Sequence, residues 1–250
     1  MRKWPVVQIG DLASFYGMTK TLSVISVFSC PLNVEIENFL KDDAIDFTAR
    51  MSSMTHLVID PADSSCVGYF TLAHKPFSLS ADKLSKSQCK RIERFAKARK
   101  SEDGSTVQYV VSAFLIAQLG KNFCRSKEED QITGAELLLS AFERITIAQH
   151  EIGGQVVFLE CEDGNRKLKS FYEKNAFVAC GKRTDDEDGI TYLQMFRFLK
   201  RTSETARCRS GARESGEART RRLRCLGRCA LTWRIRRWRM YCATCAFRFV

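Results

Sequence analysis

The chain has 250 residues and a formal net charge of +11, yet the charge is not spread along it. Fourteen of the 40 basic residues, all arginine, and only three of the 29 acidic ones (Glu204, Glu214 and Glu217) lie beyond residue 200, so residues 1–200 balance to zero. This excludes a folded domain that is itself a polycation. No apolar run nears the ~20 residues of a membrane span either.

The length allows one hydrophobic core of about 180 residues with appendages. Trp4, Pro5, Gln8, Asp11 and Ser14 interrupt the N-terminal segment before it reaches signal-peptide length. Cys30, Cys66, Cys89, Cys124, Cys161 and Cys180 are scattered without close pairs, as expected of reduced thiols acting as small hydrophobes. A soluble, cytoplasmic protein with no membrane contact is expected.

Residues 1–17 show no period and read as an extension, with a folded domain over 18–200. The β-branched stretch Leu22–Phe28 predicts a first strand. Asn33 caps a helix whose apolar positions Ile36, Phe39, Leu40, Ala44 and Phe47 recur at spacings of three and four. His56–Asp60 and Val67–His74 flank a turn rich in Pro, Asp and Ser and predict an antiparallel hairpin. Ser80 can cap a second helix with Leu84, Ile92, Phe95 and Ala96 inward. The run Lys83–Lys100 there holds eight basic residues against Glu93 alone. Val107, Tyr109, Val110 and Val111 assign the apolar run Thr106–Leu119 to a strand. After a polar loop, Thr133-Gly-Ala-Glu136 forms a capping box ahead of Leu138, Ala141, Phe142, Ile145 and Ala148. A strand at Gln155–Cys161, a helix at Asn165–Lys174 and a hairpin pairing Phe177–Cys180 with Ile190–Phe198 complete an α/β (α+β) order with mixed strand polarity.

The most specific segment is GGQVVFLECEDGNRKLKSFYEKNAF, residues 153–177. Asn165 opens its helix seven residues before Tyr172, and Glu173, Lys174 and Phe177 close it. This segment resembles the C-terminal half of the GNAT superfamily of acyl-CoA-dependent N-acetyltransferases, with Ala176 where that family has Gly. The resemblance implies a GNAT-like, mostly antiparallel twisted sheet flanked by helices. It also implies acetyl-CoA as co-substrate and a small-molecule or peptide amine as acceptor, acetylated by direct attack through a tetrahedral intermediate.

A helix N-terminus offers free amides and the positive end of a dipole to a diphosphate, and Thr133, Gly134 and Ala135 are placed to supply it. Of the family's helix-opening signature only Gly134 survives; Glu129 and Ile132 fill the Gln/Arg and first-Gly places. An alternative phosphate path uses Gly120, Lys121 and Asn122, with Arg125 or Lys127 for charge. By resemblance, Ile116, Ala117 and Leu119 offer backbone groups to the pantetheine arm, and Asn165 joins the cofactor contacts, although it is equally a plain N-cap. Tyr172 is the candidate acid for the departing thiolate and Glu160 the candidate base; a packed aromatic and an exposed strand-end carboxylate are the bland counterparts. Cys161 lacks a neighbouring His and reads as structural. His56, His74 and His150 lack metal-ligand spacing, and no metal is expected.

Two further readings stay open. A non-catalytic GNAT-fold binding module is consistent with the eroded helix-opening signature. An acetyltransferase acting on aminoacyl-tRNA would use the basic helix 83–100 against the phosphate backbone. A homodimer is compatible with either. The tail 201–250, rich in Arg and Cys, is expected to be disordered, and Cys225, Cys229, Cys242 and Cys245 only loosely resemble a zinc site.

Overall fold

The computed structural model describes residues 4–100, 104–124, 131–186 and 189–200. The chain divides into two units, 1–200 and 201–250, and the second, with its four-cysteine pattern, lies outside the described residues.

Eight strands form one sheet: β1 (Val6–Gln8), β2 (Met54–Ile59), β3 (Cys66–Ser80), β4 (Ala98–Lys100), β5 (Val107–Lys121), β6 (Val156–Glu162), β7 (Val178–Thr184) and β8 (Thr191–Phe198). Their order is β1-β2-β3-β5-β6-β8-β7, with β4 paired to the start of β5. Every pairing is antiparallel except β5 with β6. The helices are α1 (Ile9–Tyr16), α2 (Met18–Ser26), α3 (Val34–Asn38), α4 (Ala44–Ala49), α5 (Lys86–Ile92), α6 (Gly134–Ile152) and α7 (Arg166–Lys174), and the π-helical residues Phe39–Asp43 join α3 to α4.

Strand alternation sends the core to two faces. On one face α6 and α7 bury Leu137, Leu138, Ala141, Ile145 and Tyr172 against Phe70, Phe114, Ile116, Val157, Leu159 and Met195. The other face carries two separate clusters. One sits under α1, α2 and the α3–α4 segment, with Leu57 and Tyr69 of the sheet. The second packs Ile92 of α5 on Phe77, Leu79, Tyr109, Val111 and Phe158.

Several elements differ from the sequence reading. The segment expected as an extension holds the edge strand β1, whose Val6 and Gln8 register with Val58 and His56, and buries Trp4 and Ile9; three residues are too few to show a period. Leu22–Ser26 belongs to the helix α2 rather than to a strand, and Val27 and Phe28 follow its end. The buried residues of α2, Thr21, Val24 and Ile25, fall at helical spacing, and burial on Leu40, Ala44 and Tyr69 outweighs β-branched propensity. The basic run is not one helix: a 3₁₀ turn at Ala81–Lys83, α5 capped by Ser85 with Gln88 rather than by Ser80, and β4 divide it. β3 continues past His74 to Ser80 because β5 pairs with it along its whole length. α1 also lies in the N-terminal segment and was not expected, whereas β2, β5, β6, α6, α7 and the β7–β8 hairpin fall close to where the patterns put them. The turn of the hairpin between β7 and β8 includes residues 187–188, which lie outside the described residues.

Candidate active site

β5 and β6 register only at Ala113 with Val156, Phe114 with Val157 and Leu115 with Phe158. Beyond that point β5 stays with β3 and β6 stays with β8, so the two strands part in the middle of the sheet. The divergence coincides with a bulge: Thr71 pairs with Gln118 and Leu72 with Ile116, which leaves Ala117 without an opposite number on β3. A bulge bends its strand and increases local twist. Ala117 is exposed although it lies on a central strand, and β5 from Ile116 to Leu119, paired with β3 on one side, has no strand among the described residues on the side of the opening. An extended chain such as pantetheine fits against such an edge as a strand would.

The N-terminus of α6 is open, with Thr133 and Ala135 exposed. Its capping box is complete: the Glu136 amide donates to Thr133 Oγ1 at 3.2 Å, and the Thr133 amide donates to Glu136 Oε2 at 2.9 Å. The amides of Gly134 and Ala135 make no hydrogen bond among the described residues. Phe171 of α7 packs its ring over Gly134, where an added Cβ would lie 3.4 Å from the ring. That contact holds α7 beside the start of α6. Glu129, Arg125 and Lys127 lie outside the described residues.

Tyr172 stands on α7, which Asn165 caps by accepting from the Leu168 amide at 3.0 Å. The ring is 6% exposed and packs edge-on against Phe171 and Phe177. Its hydroxyl has no partner among the described residues and is not among the sealed, unpaired polar atoms, so the exposed fraction includes it. Burial pushes the phenol well above the ordinary tyrosine range, with the neighbouring Cys161 thiol adding to the shift. The phenol is thus a protonated acid at neutral pH, next to β6 on the α6 face of the sheet. Cys161 is itself buried and its thiol is pushed up by desolvation, which fits a packed residue rather than a nucleophile.

Four sequence candidates are occupied otherwise. Glu160 lies on the opposite face of β6 from Tyr172, beside Val156 and Phe158. Its carboxylate takes a two-pronged contact from Arg183, at 3.1 and 2.9 Å, and a hydrogen bond from Gln194 at 2.8 Å, which leaves a poor lone-pair acceptor for an amine proton. Asn122 is buried and spent on its neighbours, donating to the Cys66 carbonyl and accepting from the Ser29 and Cys124 amides. Gly120 lies under Phe28, Ile36 and Tyr69, where a Cβ would come within 2.4 Å of Ile36, so its missing side chain serves packing. Lys121 reaches over the Phe123 ring. Phe171 was not among the sequence candidates, since its contact is between two helices, and Ala117, which was, is an exposed bulge residue, a feature the sequence does not display.

Among the described residues no group of His, Cys, Asp and Glu is arranged to hold a metal, and no helix is long and apolar enough to cross a membrane. No family model matches the chain, and no curated protein matches it in sequence. Solved structures do share its fold. The AtaT complex with acetyl-methionyl-tRNAfMet superposes with a TM-score of 0.53 at 15% identity, covering 81% of this chain and 98% of that one. A Tyr-to-Phe mutant of the AtaT toxin gives 0.52 at 14% identity, over 78% and 89% of the two chains. A Tyr-to-Phe mutant of KacT gives 0.51 at 16%, over 76% and 94%.

Proposed function

We propose that this chain, which has the GNAT fold, is an N-acetyltransferase that moves the acetyl group of acetyl-CoA to a primary amine. The observation that carries the proposal is the parting of β5 and β6 beyond Leu115, with the exposed bulge residue Ala117 on one wall and α6 opening with amides at Gly134 and Ala135 that have no partner among the described residues. The β5 edge from Ile116 to Leu119 would hold the pantetheine arm, and the amides of Thr133, Gly134 and Ala135 with the α6 dipole would meet the diphosphate. For Thr133 this requires Glu136 to release its amide.

Acetyl transfer forms a C–N bond and breaks a C–S bond. The Tyr172 phenol protonates the departing thiolate, and the proton shed by the attacking nitrogen restores the phenol. Glu160 is left out of this scheme; it fixes Arg183. Asn165 acts as the cap that orients α7, and so Tyr172.

A second reading concerns the acceptor. All eight basic residues of Lys83–Lys100 are exposed, and a protein of similar fold was solved with acetyl-methionyl-tRNAfMet. These two observations favour an aminoacyl-tRNA as the amine donor, its phosphates lying against that basic segment.

The full chain incubated with acetyl-CoA and amines, peptides or charged tRNA is expected to yield an N-acetylated product, detected by mass. Failure to bind acetyl-CoA at high micromolar concentration would leave a non-catalytic module as the better account. Acetylation of charged tRNA that collapses with added salt would support the second reading, and salt-independent acetylation of a small amine would remove it.

A further inference from the structure

A cavity of about 500 Å³ lies away from the central β5–β6 opening, at the β1 edge of the sheet, between α1, β1 and the middle of α6. Arg144, which lines it, stands ten residues along α6 from Gly134, or about 15 Å at the rise of an α-helix. The volume is within the ~300–1,000 Å³ usual for small-ligand pockets.

Its polar groups are few and fixed. Arg144 donates through Nη2 to the Val6 carbonyl at 2.7 Å, its Nε is sealed without a partner, and Nη1 is the guanidinium nitrogen left open. His56 stacks on Phe70 with ring centroids 5.0 Å apart and interplanar angle 10°, and its Nδ1 meets the Met54 carbonyl at 3.1 Å. With Nδ1 donating there, Nε2 presents a bare lone pair, and it is not among the sealed atoms. Asp11 on α1 is exposed and forms no hydrogen bond among the described residues. Asp11, Arg144 and His56 all line this one cavity. Burial and the Arg144 charge hold the His56 ring neutral, pushed down to about 4. Phe15 and Tyr16, 81% and 71% exposed, stand at the rim and are not covered by any of the described residues.

One cationic donor, one carboxylate and one neutral imidazole acceptor, walled by aromatic rings, form the complement of a molecule that carries its own carboxylate, its own ammonium group and an apolar side chain. We propose that this cavity binds a free α-amino acid with an aromatic or large aliphatic side chain, its carboxylate on Arg144 Nη1, its ammonium group between Asp11 and His56 Nε2, and its side chain against Phe15 and Tyr16. A simple anion would leave Asp11 in repulsion, and a simple amine would leave Arg144 without a partner. The site is independent of the acetyl-transfer reading, since it shares no residue with that cleft.

The test is calorimetric titration of the full chain with L-phenylalanine, 3-phenylpropionate (no amine) and phenethylamine (no carboxylate), repeated on Asp11→Asn and Phe15→Ser. Both substitutions are at exposed positions that carry no core packing. Saturable binding of L-phenylalanine is expected, with each analogue at least about tenfold weaker, the loss that an unmade charged hydrogen bond produces. Asp11→Asn should weaken L-phenylalanine by a similar factor while leaving 3-phenylpropionate unweakened, and Phe15→Ser should weaken all three. Equal affinity for L-phenylalanine and 3-phenylpropionate, an unchanged Asp11→Asn, or no saturation in the millimolar range would overturn the assignment.

Discussion

At the scale of single residues, Tyr172 and Glu160 show how far a motif can be trusted. The spacing from Asn165 to Phe177 predicted a helix that the fold contains, capped by Asn165, and the phenol lies protonated beside β6. Tyr172→Phe keeps the ring packing and removes the proton, so acetyl-transfer turnover should fall by about 10²-fold or more with acetyl-CoA affinity unchanged. A variant of wild-type rate in steady-state assay would show that the phenol donates nothing. Because the phenol is held above its ordinary range, it stays protonated through neutral and mildly alkaline pH and sets no alkaline loss of rate there. Glu160 was legible as a carboxylate near a strand end, but which side of β6 it faces depends on register and its engagement depends on Arg183, 23 residues later; neither is written in local pattern. His56 makes a separate prediction. Its folded value is lowered from 6.5 to about 4, so the unfolded chain takes up a proton first as pH falls. The associated stability is present above pH 6.5 and is lost between 6.5 and about 4, by on the order of 2–3 kcal/mol. Denaturant unfolding across that window should show the slope, and His56→Gln should flatten it; an unchanged slope would place the acid sensitivity elsewhere.

At the scale of elements, the capping box at Thr133 and the cap at Asn165 were readable because both signals are local. α2 was not, since its identity rests on a face buried by residues distant in sequence. The opening between β5 and β6 has no sequence signature at all. It follows from a one-residue bulge at Ala117, visible only once β3 is laid beside β5. The turn after α7 carries a testable strain. Ala176 sits at φ 63°, and the turn closes with the Phe177 amide donating to the Tyr172 carbonyl at 3.1 Å. A left-handed conformation costs an L-residue about 1–2 kcal/mol, so Ala176→Gly should raise stability by about 1 kcal/mol after its own entropic cost. A lower melting temperature in Ala176→Gly would refute this. Gly120→Ala should do the reverse, since its Cβ would come within 2.8 Å of the Tyr69 ring and 2.4 Å of Ile36. A loss of about 1–3 kcal/mol is expected from such overpacking, read from the denaturation midpoint.

At the scale of the whole molecule, charge and fold are separable. Residues 201–250 carry the entire net charge of +11, while residues 1–200 hold the sheet and its opening. The composition shift near Lys200 was plain in the sequence because arginine and cysteine enrichment needs no contact to be seen. Removal of residues 201–250 is therefore expected to abolish salt-sensitive, non-specific retention on nucleic acid and to leave acetyl-CoA binding intact. Its central claim is that the parted strands hold the acyl-CoA, and filling that opening tests it most directly. Calorimetric titration with acetyl-CoA should give saturable binding by the wild-type chain and none by Ala117→Trp at an unchanged melting temperature. Equal binding by Ala117→Trp, or no binding by the wild type, would contradict it.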